Sequence, residues 1–169
     1  MYSMRRFYYR NPLSLDNHDG IVELLKTLLS NTYLLYIQTQ GAHWNVVGRD
    51  FPQLHELFQE QYEELAKAID VLAEHIRTYD SFAPGSAKEF TQLATFQETA
   101  FSGLDTLADE RGGVDAGYLL EMLIDQHQAC VDVANQLGKI TTDAIHTQNL
   151  AADRIAAHEK AIWMLSTTV

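Results

Sequence analysis

Apolar residues recur three and four positions apart over four long stretches of this chain, and no stretch alternates as a β-strand would. The first runs from about Asp16 to Asn45, where Ile21, Leu24, Leu25, Leu28, Leu29 and Leu35 form a stripe. That spacing puts them on one side of an α-helix, and such a side must be buried against another element. Asp16 or Asn17 suits the N-cap, where a short polar side chain accepts from a free backbone N–H. The segment VVGRDFP ends this helix: Gly48 is a stop signal, Asp50 a plausible next cap, and Pro52 fits a first turn.

The second helix is predicted from about Pro52 to Tyr79, with Leu54, Leu57, Phe58, Leu65, Ile69, Leu72, Ala73 and Ile76 as its stripe. SFAPGS breaks it. From Ser86 to Gly113 the pattern weakens into a long connection holding one short helix. The third helix is predicted from about Val114 to Lys139, and the fourth from about Thr147 to Leu165. Four amphipathic helices with a long middle connection predict an all-α four-helix bundle with a crossover. Residues 1–15 precede the bundle as a tail, and residues 16–169 make one domain.

The composition suits that picture. Of 169 residues, 46% are apolar, which is enough for a core. No apolar run approaches the roughly 20 residues that span a bilayer, and the N-terminus lacks the apolar region of a secretory signal, so no membrane partner is expected. The one cysteine, Cys130, excludes an intrachain disulfide, sits in an amphipathic run as a small core residue, and fits a reducing, cytoplasmic setting. A net charge of −11 repels nucleic acid over the body and favours cations. The tail differs: Arg5, Arg6 and Arg10 alternate with Tyr2, Phe7, Tyr8 and Tyr9, and no acid falls among them.

Cation chemistry in a bundle usually rests on Glu-x-x-His pairs on facing helices. This sequence contains none, so a di-iron centre inside one bundle is not expected. The remaining candidates are His43 and His55, twelve residues apart around a turn, and Asp70 and Glu74, which share a face one helical turn apart. Imidazole with carboxylate suits iron, manganese or zinc better than calcium or magnesium. His55 and Asp70, however, lie fifteen residues apart on the same helix, roughly 22 Å along its axis, and no single ion spans that. Their angular offset is only about 60°, so they look out on broadly the same side. Either the four residues are not one site, or two copies of the helix pack antiparallel about a two-fold axis near Tyr62 to Leu65. A two-fold contact would make two identical sites at once.

QTQGAHWNVVGRDFPQLHELFQEQYEELAKAIDVLAEHIR, together with the weaker HEKAIWML near the C-terminus, resembles the Dps family of mini-ferritins in the ferritin-like superfamily. The resemblance covers about Ile21 to Leu165 and is least diagnostic between Ser86 and Gly113. It implies a ferritin-like four-helix bundle with a short extra helix between helices 2 and 3. It also implies a hollow homo-oligomeric shell of twelve subunits that oxidises Fe(II), with hydrogen peroxide or oxygen, and stores ferric iron against oxidative damage. The family's ferroxidase site lies between two subunits; its histidines fall on His43 and His55, and the partner's carboxylates on Asp70 and Glu74. The tryptophan beside the site falls on Trp44, with electron donation to a stray radical or plain packing as its roles. One departure stands out. Where relatives often carry Asp or Glu a turn after the second histidine, this chain has Gln59, an uncharged and weaker or water-mediated ligand.

The same resemblance places a polar pore near the turn into the last helix, where Asp143 and Asp153 stand with His146 and Asn149. His18, His75, His127 and His158 are expected at the surface or satisfied in the core. Some relatives bind DNA through basic tails. The alternative function is therefore a nucleoid-associated DNA-binding protein with a weak or vestigial iron site.

Overall fold

A computed structural model describes residues 15–101 and 112–168. Apart from Leu15, the predicted tail lies outside the described residues. Among the described residues five helices follow in order: α1 (Leu15–Asn45), α2 (Phe51–Thr78), α3 (Ala87–Leu93), α4 (Ala116–Ile140) and α5 (Ile145–Ser166). The ferritin-like four-helix bundle is formed by α1, α2, α4 and α5, with α3 as the extra helix of the long connection. No helix is long and apolar enough to cross a membrane among the described residues.

Side-chain contacts give the directions of the helices. Asn17 of α1 lies by Ile140 of α4, and Asn31 by Ala129, so these two run antiparallel. His43 meets His55, and His18 meets Tyr79, so α1 and α2 are antiparallel as well. Hence α2 and α4 run the same way, and the chain must travel the bundle's length between them. That is the physical reason for the long connection. It runs along α1: Phe90 stacks on Tyr33 at 4.0 Å, Thr95 pairs with Asn31, and the Thr99 backbone pairs with the Gln38 amide.

The predicted stripes are the core. Ile21, Leu25, Leu28, Leu29 and Leu35 from α1, and Leu54, Phe58, Leu65, Leu72 and Ile76 from α2, are buried; Leu24, Leu57, Ile69 and Ala73 are partly buried beside them. Cys130 is fully buried, and desolvation pushes its thiol up to about 12, so it stays protonated and acts as a small apolar residue.

The helix ends correct the expectations. Helix α1 begins at Leu15, and Asn17 does not cap it: its amide donates across the bundle to the Ile140 carbonyl at 3.2 Å. Asp50 does occupy the N-cap of α2, but its side chain makes no capping bond. Helix α4 starts two residues later than predicted because Val114 is held in a bridge to Val46, and the Asp115 carboxylate caps by accepting from the Gly117 and Tyr118 amides. Helix α3 opens on a capping box, with Glu89 N–H donating to Ser86 and the Ser86 hydroxyl donating to Glu89. Two glycines are required at the α1 exit. Gly48 has φ 126°, which L side chains rarely adopt. At Gly113 a β-carbon would lie 2.8 Å from the Asn45 carbonyl oxygen. Together they let the α1–α2 turn sit against the start of α4 and fix how α1 ends.

Candidate metal centre

That turn sets the two histidines face to face. The rings of His43 and His55 stack at 3.6 Å with an interplanar angle of 21°. The His43 Nδ1 lies 2.8 Å from the His55 carbonyl oxygen, and the His55 Nδ1 lies 2.8 Å from the His43 carbonyl oxygen. A carbonyl only accepts, so both Nδ1 atoms carry the hydrogen. In each neutral imidazole the lone pair is then left on Nε2. Two backbone carbonyls thus select the tautomer that ligates a metal through Nε2 and hold each ring in place, as outer partners do for metal-bound histidines. Imidazole nitrogen is a borderline donor that suits iron, zinc, copper and nickel.

The carboxylates stand elsewhere. Asp70 and Glu74 are both exposed, and among the described residues neither makes a hydrogen bond or ion pair. No group of three or more His, Cys, Asp or Glu that could hold a metal occurs among the described residues of one chain. The structure therefore brings His43 and His55 together and leaves Asp70 and Glu74 apart from them, as the helical rise requires.

Apolar surface flanks both halves. Trp44, next to His43, is 67% exposed; Phe51, whose ring lies 5.0 Å from His55, is 40% exposed; Val71, next to Asp70, is 51% exposed. Gln59 is exposed on the same helix, and its amide nitrogen donates to Glu63 at 3.0 Å, which leaves only its carbonyl oxygen free to approach a cation. Asp143, His146, Asn149 and Asp153 are all exposed at the α4–α5 end of the molecule.

The other histidines divide. His18 is partly exposed and tilts against Tyr79, and His75 bonds to the Thr147 hydroxyl at 2.8 Å, which also meets Tyr79 at 2.6 Å. His75 is held below the ordinary histidine range by burial and by the nearby His146. His127 and His158 are core residues, but only half satisfied. Their Nδ1 atoms share one hydrogen at 2.9 Å, while each Nε2 is buried without a partner among the described residues. Beside them Arg154, 7% exposed, grips the Glu64 carboxylate with both terminal nitrogens, one at 3.0 Å. A core position for His127 and His158 is among the sequence expectations; their half-satisfied pairing and Arg154 beside them are not. The signal was available: His127, Arg154 and His158 fall on the apolar side of their helices.

The ferritin-like domain family matches residues 22–169. An uncharacterized low temperature-induced protein of Nostoc sp. is 31% identical over 91% of this chain and 82% of its own length. A DNA protection during starvation protein of Porphyromonas gingivalis is 28% identical over 86% of each chain. The crystal structure of a Dps protein from Vibrio cholerae O1, described as a member of a broad superfamily of ferritin-like diiron-carboxylate proteins, superposes with a TM-score of 0.80. It is 27% identical and covers 92% of each chain.

Proposed function

Since this chain belongs to the ferritin-like family, and within it stands with the Dps proteins, we propose that it oxidises Fe(II) and stores the ferric product in a twelve-subunit shell. The site is made between two copies, His43 and His55 of one facing Asp70 and Glu74 of the other, with hydrogen peroxide or oxygen as the oxidant. The observation that carries this reading is the reciprocal Nδ1–carbonyl bonding of His43 and His55, which prepares two Nε2 lone pairs that no group of three or more His, Cys, Asp or Glu completes among the described residues of the same chain.

Each residue has a separate task. His43 and His55 supply neutral nitrogen donors at no reorganisation cost, because their rings are already locked. Asp70 and Glu74 supply the negative charge that draws in a dication and favours Fe(III) over Fe(II) once an electron has left. Trp44, Phe51 and Val71 give both halves apolar surface to bury when two copies meet, which would exclude water from the charges. A two-fold axis generates both sites together.

Gln59 sets the stoichiometry. Tied to Glu63 and uncharged, it gives a second iron little to bind, so one iron per site is held firmly and the next arrives afterwards. Gln59→Glu is expected to tighten the second equivalent of Fe(II) by about ten-fold or more, the scale on which changes around a metal's ligands alter affinity. Anaerobic calorimetric titration reads this directly. An unchanged second step would contradict the role given to Gln59.

The proposal as a whole is tested by loading the protein with Fe(II) without oxygen, adding peroxide, following ferric absorbance and sizing the particle. A shell that forms ferric product is the expected result. A monomer that forms none would refute it.

A further inference from the structure

An aromatic file leads away from the His43–His55 pair. Tyr62 of α2 stands edge-on to the His43 ring at 5.3 Å between centroids. Tyr36 of α1 follows, edge-on to Tyr62 at 6.2 Å, and Tyr33 follows Tyr36 at 6.3 Å. The file ends where Tyr33 stacks on Phe90, which is far harder to oxidise than a phenol. The Gln40 amide donates to the Tyr36 hydroxyl oxygen at 3.3 Å, the atom through which a phenoxyl radical accepts hydrogen bonds. All three tyrosines are partly exposed in the single chain. Trp44, by contrast, is 67% exposed and has no ring partner among the described residues.

We infer that Tyr62, Tyr36 and Tyr33 form a one-electron store for the site, which lets a centre holding one iron carry out the two-electron reduction of peroxide. This rests on the iron-oxidising function proposed above. The need follows from Gln59. A single Fe(II) gives one electron, and one-electron reduction of hydrogen peroxide releases a hydroxyl radical. With the file, peroxide takes one electron from Fe(II) and one electron from Tyr62, which also loses its phenolic proton. The O–O bond breaks, one more proton comes from solvent, and two waters leave. Fe(III) and a neutral phenoxyl radical remain, and the radical passes along the file to Tyr36 and Tyr33. The next Fe(II) returns an electron to the phenoxyl, a proton returns from water, and a second Fe(III) is formed. Each peroxide thus oxidises two irons in succession.

The test uses the assembled full-length protein with one Fe(II) per site and one peroxide per iron. It is freeze-quenched for electron paramagnetic resonance, with ferric absorbance recorded on the same sample. The expected result is a tyrosyl signal whose hyperfine pattern changes with ring-deuterated tyrosine. In Tyr62→Phe the signal is lost and spin-trapped hydroxyl radical rises, while the protein still assembles and forms ferric product. In Tyr36→Phe the signal stays on Tyr62 and decays faster. Ferric product without a tyrosyl signal, or a signal retained in Tyr62→Phe and lost in Trp44→Phe, would overturn the store and leave the iron site standing. Absence of ferric product would overturn both.

Discussion

Replacing Asp70 and Glu74 together by alanine is expected to lower peroxide-driven Fe(II) oxidation by more than about 10²-fold, beyond the loss typical of changes to a metal's outer ligands. The fold should hardly notice. Both side chains are exposed, with no hydrogen bond or ion pair among the described residues, and substitutions of that kind usually stay within about 0.5 kcal/mol. Removing two like charges one turn apart on α2 relieves a small repulsion. The informative result is therefore a split: activity lost, melting temperature and particle size kept. Full activity in the double variant would remove the acids from the site. Loss of the shell together with activity would make them structural instead.

Acid is expected to destabilise the protein well before its surface carboxylates titrate. Desolvation, and then the nearby Arg154, lowers His127 to about 3. Desolvation, His127 and Arg154 hold His158 well below the ordinary histidine range, and burial and His146 lower His75 in the same sense. In the unfolded chain these groups bind protons near their ordinary pKa, whereas in the bundle they resist them. The unfolded state thus binds more protons, and stability falls as pH drops. The loss begins near the ordinary histidine value of 6.5 and continues toward about 3. At pH 4, His127 alone removes about 3 kcal/mol, at roughly 1.4 kcal/mol per pH unit. Denaturant unfolding between pH 8 and pH 4 reads this slope. In His127→Leu with His158→Leu the slope should flatten, because both partners of the buried pair are replaced by apolar groups. An equal slope in the double variant would assign the acid lability elsewhere.

Much of the bundle could be read from the chain because its signal is local. Leu25, Leu28 and Leu29, or Leu65, Leu72 and Ile76, repeat at the helical period whatever they pack against. Gly48 and Pro52 announce the turn in the same local way. The helix ends were less legible. Asn17 looks like a cap, but a carbonyl from α4 claims its amide, and α4 itself starts late because Val114 pairs with Val46. Those are contacts between residues distant in sequence, which no local pattern encodes. The site shows the same division. The distance between His55 and Asp70 follows from helical rise alone, and it excludes a site within one chain. The carbonyl bonds that fix the His43 and His55 tautomers depend on how tightly two helices cross at the turn, which no local pattern encodes. The buried layer of His127, His158 and Arg154 is legible as a breach of the apolar stripe. Its pairing is not, since it joins residues 31 and 90 positions apart.

In the proposed function one active site takes its histidines and its carboxylates from different copies of the chain. Co-expressing equal amounts of a His43→Ala/His55→Ala chain and an Asp70→Ala/Glu74→Ala chain tests it. Alone, each variant should fail to oxidise Fe(II), because every site lacks half of its ligands. Mixed at random, half of the two-fold pairs hold one chain of each kind, and in each of these one site recovers all four wild-type residues. About a quarter of the wild-type oxidation should therefore return, as two-fold symmetry requires. If the mixed shells oxidise iron no faster than the two variants do separately, the site does not lie between subunits.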